Sequence, residues 1–408
     1  MKYDLDAVID RTGTHSVKWE YVSDSIKGAP PDVLPLWVAD MDFPCAQPIL
    51  DALHDRVDRQ IFGYSTPYTK GYLSAVCNWF GSRHDWGIDP DQILVTPGVV
   101  PALGLLIRAF TRAGEGVIIQ QPVYYPFFSM IRSNGRKLVN NPLILRDGVY
   151  EIDFDDLELK AADPAHTLMI LCSPHNPVGR VWTEPELTRV ARICRRHRVT
   201  LVADEIHCDL LRQGIKFIPM AKAAPHETVI SCTAASKTFN LAGLGISNTI
   251  FQSRTMRSRC EAELRDQLGF FGANPLSLVA TEAAYTRGQE WLDQVLAYID
   301  ANLAFISDFI SDRMPETGYS VPQGTYLAWL DLRPYDQNWE ALKKALLTDA
   351  KVALDDGDMF GEEGRGFERI NAACPRSILA DCLHRMAGVL HREARGRRRH
   401  LGSGTDGR

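Results

Sequence analysis

The sequence predicts an α/β fold with a mainly parallel sheet sandwiched by helices, followed by a smaller α+β part. Three observations carry this. Through the middle of the chain, β-branched or leucine-rich runs bounded by Pro, Gly or polar residues alternate with helical stretches. From about residue 285 the alternation gives way to one long helical stretch and then scattered short strands. The chain of 408 residues is long enough for one large core plus a second, smaller one.

In chain order the predicted strands are QILVTP (92–97), GVIIQQP (116–122), HTLMILCSP (166–174), TLVADEI (200–206), ETVISC (227–232) and ISNTIF (246–251). Between them PALGLLIRAFTRAG and EPELTRVARICRRHR read as helices. The second carries Glu184 and Glu186 early and Arg195, Arg196 and His197 late, as the helix dipole favours. Beyond residue 285 come the helix GQEWLDQVLAYIDANLAFISDFISDRM, the strand TYLAWLDL, the helix WEALKKALLTDA and two short strands, KVALDD and FERINAAC. The expected division is an N-terminal segment over 1–47 that joins the small domain, a large domain over 48–284, a small domain over 285–393, and a flexible tail over 394–408. The tail sequence REARGRRRHLGSGTDGR is basic and then Gly/Ser-rich, a frayed terminus rather than a nucleic-acid arm.

Composition sets the class. With 45% hydrophobic and 24% charged residues this is an ordinary globular chain. Its net charge of -6 argues against wholesale binding of nucleic acid. The nine cysteines form no CxxC pair, and several, such as Cys172 in TLMILCSP, sit in apolar runs, so they read as reduced thiols. The N-terminus lacks the apolar core of a secretory signal, and no apolar run approaches the ~20 residues that span a bilayer. A cytoplasmic soluble protein with no membrane partner is expected.

Four clusters at predicted strand ends could carry chemistry, because ligands of open α/β sheets bind at that edge. In TPGVVPALG, Gly98 permits a tight turn into a helix whose free N–H groups can hold an anion, although many such turns bind nothing. In SPHNPVGRVW, Asn176 either projects its amide from the sheet edge or bonds its own backbone in an Asx turn. In VADEIHCDL, Asp204 is a carboxylate at the end of a central strand, which needs a cationic or donating partner. Asp204, Glu205, His207 and Asp209 could also be read as metal ligands, but a strand alternates faces and no second His/Cys group stands at matching spacing, so no metal is expected. In TAASKTFNLAGLGIS, Lys237 stands among small and apolar residues, either as a surface or ion-paired lysine or as an amine whose lowered pKa lets it condense with an aldehyde. A phosphate cradle, an amide, a buried acid and a buried lysine are together what pyridoxal phosphate requires.

The wording LPLWVADMDFPCAQPI, FGYSTP, TPGVVPAL, SPHNPVGRVW, ADEIHCDL, SKTFNLAGLGIS, GTYLAWLDL and FGEEGRGFERINAACPRS resembles the fold-type I, aspartate-aminotransferase-like pyridoxal phosphate enzymes. Within them it is most similar to the MalY/PatB-like cystathionine β-lyase branch. The resemblance implies that Lys237 links to the cofactor, Asp204 pairs with its pyridine nitrogen and Asn176 bonds its ring hydroxyl. His207 stands where many aminotransferases have a tyrosine that reaches the same hydroxyl. Tyr124 matches the aromatic residue that stacks on the ring. Val99, Val100 and Ser236, after Gly98, match phosphate-binding positions. Tyr64 matches a tyrosine that reaches the phosphate of the neighbouring subunit, which implies a homodimer. Arg369 matches the arginine that grips the substrate α-carboxylate in a two-pronged pair. Ala39 lies where the family lines the substrate site.

Two positions depart from the general aminotransferase pattern. Gly245 stands where an arginine commonly binds the phosphate, and Ala234 replaces a serine. The implied activity is carbon–sulfur β-elimination from cystathionine or another L-cysteine S-conjugate. Transamination, or action on a larger thioconjugate in biosynthesis, is the alternative.

Overall fold

Seven strands form the central sheet of the computed structural model, which describes residues 1–225, 229–335 and 338–402, the stretch 393–402 by backbone alone. In chain order they are β1 (Ile93–Thr96), β2 (Gly116–Ile119), β3 (Lys137–Asn140), β4 (His166–Cys172), β5 (Thr200–Asp204), β6 (Val229–Thr233) and β7 (Ser247–Phe251). Across the sheet they run β1-β7-β6-β5-β4-β2-β3. Strand β7 is antiparallel to both neighbours and every other pair is parallel. The sheet is therefore mixed but mainly parallel, and helices flank it.

Alternation along β4 explains why. Leu168, Ile170 and Cys172 pack on one face with Leu103 and Leu106 of the helix Val99–Phe110 and Leu264 of Arg254–Leu268. Met169 and Leu171 pack on the other with Leu157 of Phe154–Ala162 and Leu187 and Val190 of Glu184–His197. Each fully buried aliphatic side chain contributes about 1.5–3 kcal/mol, so neither face can be left to water. The helix Glu184–His197 starts with a capping box between Thr183 and Glu186 and ends at left-handed Arg198. The sequence signals for its dipole thus coincide with its real ends.

The second sheet comprises β8 (Gly318–Tyr319), β9 (Leu327–Asp331), β10 (Asp355–Asp356) and β11 (Phe367–Asn371), ordered β8-β9-β11-β10 and antiparallel throughout. The helices Gln289–Arg313 and Arg376–Gly402 share a hydrophobic cluster with it. The stretch KVALDD, expected as one strand, is divided. Val352–Ala353 pairs in parallel with Leu34–Pro35, whereas Asp355–Asp356 pairs with β11. Strand β3 had no counterpart among the predicted strands.

The N-terminal segment crosses between these layers. The Leu36 carbonyl accepts from the Asn371 N–H at 2.9 Å, and the Asp42 N–H donates to the Ala373 carbonyl at 2.9 Å. Lys18 is fully buried, with its Nζ 2.5 Å from Asp42 Oδ2. Arg11 pairs with both Asp40 and Asp42, and the Trp19 indole donates to Asp42 at 2.8 Å. These bonds fix the stretch 36–42 beside the sheet edge.

Of the expected tail 394–408, residues 394–402 continue the C-terminal helix, and 403–408 lie outside the described residues. Among the described residues no helix is long and apolar enough to cross a membrane.

Candidate active site

The C-terminal ends of β1, β4, β5 and β6 open onto one cavity of about 290 Å³. That is near the lower end of ligand pockets, ~300–1,000 Å³. Ala39, Gly98, Val99, Val100, Tyr124, Asn176, Asp204, His207, Ser236 and Lys237 all line it. Residues far apart in sequence meet there because each sits just past a strand end.

Strand β6 runs into a single helical turn, Ala235–Thr238, which turns Lys237 into the cavity. Its Nζ donates to the Ala39 carbonyl at 2.7 Å. The Tyr326 hydroxyl donates to the same carbonyl at 2.8 Å. Burial, reinforced by the positive charge of Arg369, lowers the Lys237 amine from 10.5 to about 8, while Asp40 and Asp204 pull the other way. An appreciable fraction of the amine is therefore neutral near neutral pH.

Asp204 ends β5 and is buried. Its Oδ1 accepts from the Ile206 N–H at 3.2 Å. Burial pushes the carboxyl from 3.8 up to about 7, against the pull of that bond and of the Lys237 charge. The carboxyl faces a cavity without a cation of its own in contact, the setting that a protonated ring nitrogen would complete. His207 is buried and, through desolvation first and the nearby cations Lys237 and Arg369 second, held far below its ordinary pKa. It is a neutral imidazole whose Nδ1 has no hydrogen-bond partner.

Gly98, with φ +137, precedes the 12-residue helix Val99–Phe110, and no side chain caps that helix. A side chain there would strain the backbone, and a Cβ would meet Pro101 Cδ at 3.4 Å. The uncapped helix start and the Ser236 hydroxyl face the same cavity, a site for a dianion. Gly245 also lines this cavity, so no arginine side chain enters there.

The two readings of Asn176 resolve in favour of the sheet edge. Its Oδ1 accepts from Arg369 Nη1 at 2.9 Å. Arg369 itself does not line the cavity: it lies behind Asn176, 2% exposed, and contacts Asp355 and the Trp37 carbonyl. Tyr64 is fully exposed and away from the cavity of its own chain. The acids after Asp204 scatter. Glu205 accepts from the Met220 N–H at 2.6 Å, and Asp209 accepts from His84, Trp79 and Thr238. His84, Cys208 and Asp209 do come close together, but the oxygens of Asp209 are taken by these donors and by Arg83.

Cys172, Ile206 and Ala242 also line the cavity and were not singled out from sequence. Ile206 lies in the turn just past Asp204, at the end of β5. Asp355 had no signal in the sequence, because only antiparallel pairing brings it to Arg369.

A lysine amine, an unpaired carboxyl and an uncapped helix start in one cavity fit pyridoxal phosphate by aldehyde, ring nitrogen and phosphate respectively.

The model of the class I and II aminotransferase family matches residues 31–385. Cystathionine beta-lyase PatB of Bacillus subtilis is 42% identical over 389 residues, covering 95% of this chain and 100% of that protein. Protein MalY of Escherichia coli is 38% identical, covering 92% and 96% respectively. The crystal structure of cystalysin from Treponema denticola, which contains a pyridoxal 5'-phosphate cofactor, matches with a TM-score of 0.92 at 37% identity over 96% of this chain and 99% of that one.

Proposed function

The chain belongs to the class I and II aminotransferase family, and on that premise we propose that it is a pyridoxal phosphate-dependent carbon–sulfur β-lyase. It converts cystathionine or another L-cysteine S-conjugate, with water, to a thiol, pyruvate and ammonia. The observation that carries this is the convergence of Lys237, Asp204 and the Gly98 helix start on one cavity, in a chain 42% identical to a cystathionine beta-lyase.

When bound, the cofactor supplies an aldehyde that captures amines and an electron-poor ring that takes up charge from Cα. Lys237 would hold the cofactor by its aldehyde carbon. The Lys237 amine, its pKa lowered by burial, would take the Cα proton and pass it to the departing thiolate. Asp204 would keep a proton on the ring nitrogen. Val99 and Val100 would hold the phosphate through their N–H groups, with Ser236 adding its hydroxyl. Tyr124 would pack against the ring, and Asn176 and His207 would serve its hydroxyl. Arg369, steered by Asn176, receives the α-carboxylate beside Ala39.

Two copies pair in this reading, with Tyr64 reaching the phosphate end of the neighbouring cavity. Its full exposure, next to exposed Ile61 and Phe62, supports that role. The free state of all nine cysteines supports a cytoplasmic location. The division at 1–47, 48–284 and 285–393 is kept as part of this reading, and the separate sheets of strands β1–β7 and β8–β11 support it.

The test is to incubate the reconstituted protein with cystathionine and with simpler cysteine S-conjugates. Pyruvate together with free thiol is the expected result. A keto acid with aminated cofactor and no thiol would make it a transaminase.

A further inference from the structure

Arg369 is held on every side. Its guanidinium carbon lies 4.9 Å from the centroid of the Phe360 ring, which covers one face. Nη1 donates to Asn176 Oδ1 at 2.9 Å, and Nη2 donates to the Trp37 carbonyl at 3.1 Å. Nη2 also meets Asp355 Oδ2 in a direct ion pair, with both side chains 2% exposed. Nε, by contrast, is buried without a hydrogen-bond partner. The pair is set by register, since Asp355 stands opposite Arg369 on neighbouring antiparallel strands.

A guanidinium presents two forks to a carboxylate: end-on through Nη1 and Nη2, and side-on through Nε and Nη2. Nη2 belongs to both. Nη2 gives one N–H to each fork, and the Trp37 carbonyl and Asp355 between them take both, so an incoming carboxylate finds no free fork until one of them gives way. Asp355 is a carboxylate supplied by the chain itself.

We propose that Asp355 sets the affinity of the substrate site, as an internal carboxylate on the Arg369 arm that a substrate α-carboxylate must displace. The inference rests on the reading of Arg369 as the carboxylate-binding residue. Without substrate, Asp355 neutralises a buried cation that would otherwise lack a counter-charge. With substrate, one carboxylate exchanges for another and net affinity is reduced by the interaction given up. The cost falls on every α-amino acid alike, so binding relies on contacts elsewhere in the cavity.

The test uses holoenzyme, wild type and Asp355→Asn, with Asp355→Ser as a second variant should the first fold poorly. The first probe is 3-(methylthio)propionate, a carboxylate with no amine to react, titrated calorimetrically. The second is steady-state pyruvate release from S-ethyl-L-cysteine and from cystathionine. Removing the internal competitor should tighten probe binding about tenfold and lower KM for both substrates by more than any change in kcat. Unchanged or weaker probe binding in the variants overturns the inference. So does a KM that rises for cystathionine alone, which would make Asp355 a seat for the distal ammonium. A wild type that releases no pyruvate and thiol would defeat the lyase reading, while the probe titration would still decide the role of Asp355.

Discussion

Lys237 Nζ donates to the main-chain carbonyl of Ala39, 198 residues away, at 2.7 Å. A single peptide oxygen thus ties the turn after β6 to the crossing N-terminal segment. Tyr326, on the second sheet side, joins the same oxygen at 2.8 Å. Three separate parts of the chain therefore set where the amine stands.

Lys237→Ala should abolish the visible absorbance of the reconstituted protein and lower kcat by about 10²–10⁴-fold, the span typical for loss of a positioned acid–base group. In the wild type kcat should rise with pH through about 8, because the amine accepts a proton only when neutral. A kcat profile flat from pH 6 to 9 would contradict that role.

Asp204 makes the cofactor-free protein sensitive to pH. Its carboxyl titrates near 3.8 when unfolded and at about 7 when folded, so between those values the folded state holds more protons. Stability is therefore fullest below the unfolded value and is lost as pH rises from about 4 to about 7, by up to roughly 4 kcal/mol. Glu205, pushed up to about 8 by burial, adds in the same direction. Urea melts of the apoprotein should show the decline, and Asp204→Asn should flatten much of it. Pyridoxal phosphate should also reduce the decline in the wild type, since a cation opposite Asp204 lowers its pKa again.

Arg369→Ala should raise KM for S-conjugates by about 10²-fold or more, the effect of truncating one partner of a buried charge pair at roughly 2–5 kcal/mol. Cofactor affinity, read by absorbance titration, should change far less.

Asp209 binds four partners at once: His84 at 2.8 Å, Thr238 at 2.9 Å, Arg83 at 3.0 Å and Trp79 at 3.1 Å. Its carboxyl stays below the usual carboxylate range despite burial, because His84, Arg83 and Thr238 outweigh desolvation. Asp209→Ala should cost about 3–5 kcal/mol in urea denaturation, the penalty for orphaning buried charge and donors. Because Thr238 adjoins Lys237, kcat should fall with stability.

Much of the site could be read from the chain because it is assembled from strand ends, and each strand end carries its own local signature. Gly98, Asn176, Asp204 and Lys237 each follow an apolar run, so sheet logic alone brings them to one edge. What escaped the sequence is what depends on distant pairing. Strand β3 is an edge strand of KLVN, partly exposed and too polar to stand out. KVALDD reads as one run, but its two halves have different partners, Leu34–Pro35 and β11. The ion pair of Asp355 with Arg369 follows from that second pairing, and no spacing in the sequence announces it.

The burial of Lys18 against Asp42 bears on how the protein can be handled. Met1 is 66% exposed, so additions to the N-terminus meet solvent. Shortening is another matter: a chain begun after Lys18 keeps Asp42 in the interior without either of its cations, Arg11 and Lys18, and loosens the stretch that carries the Ala39 carbonyl. Extension at that end is tolerable, and trimming disturbs by proxy the oxygen that holds Lys237.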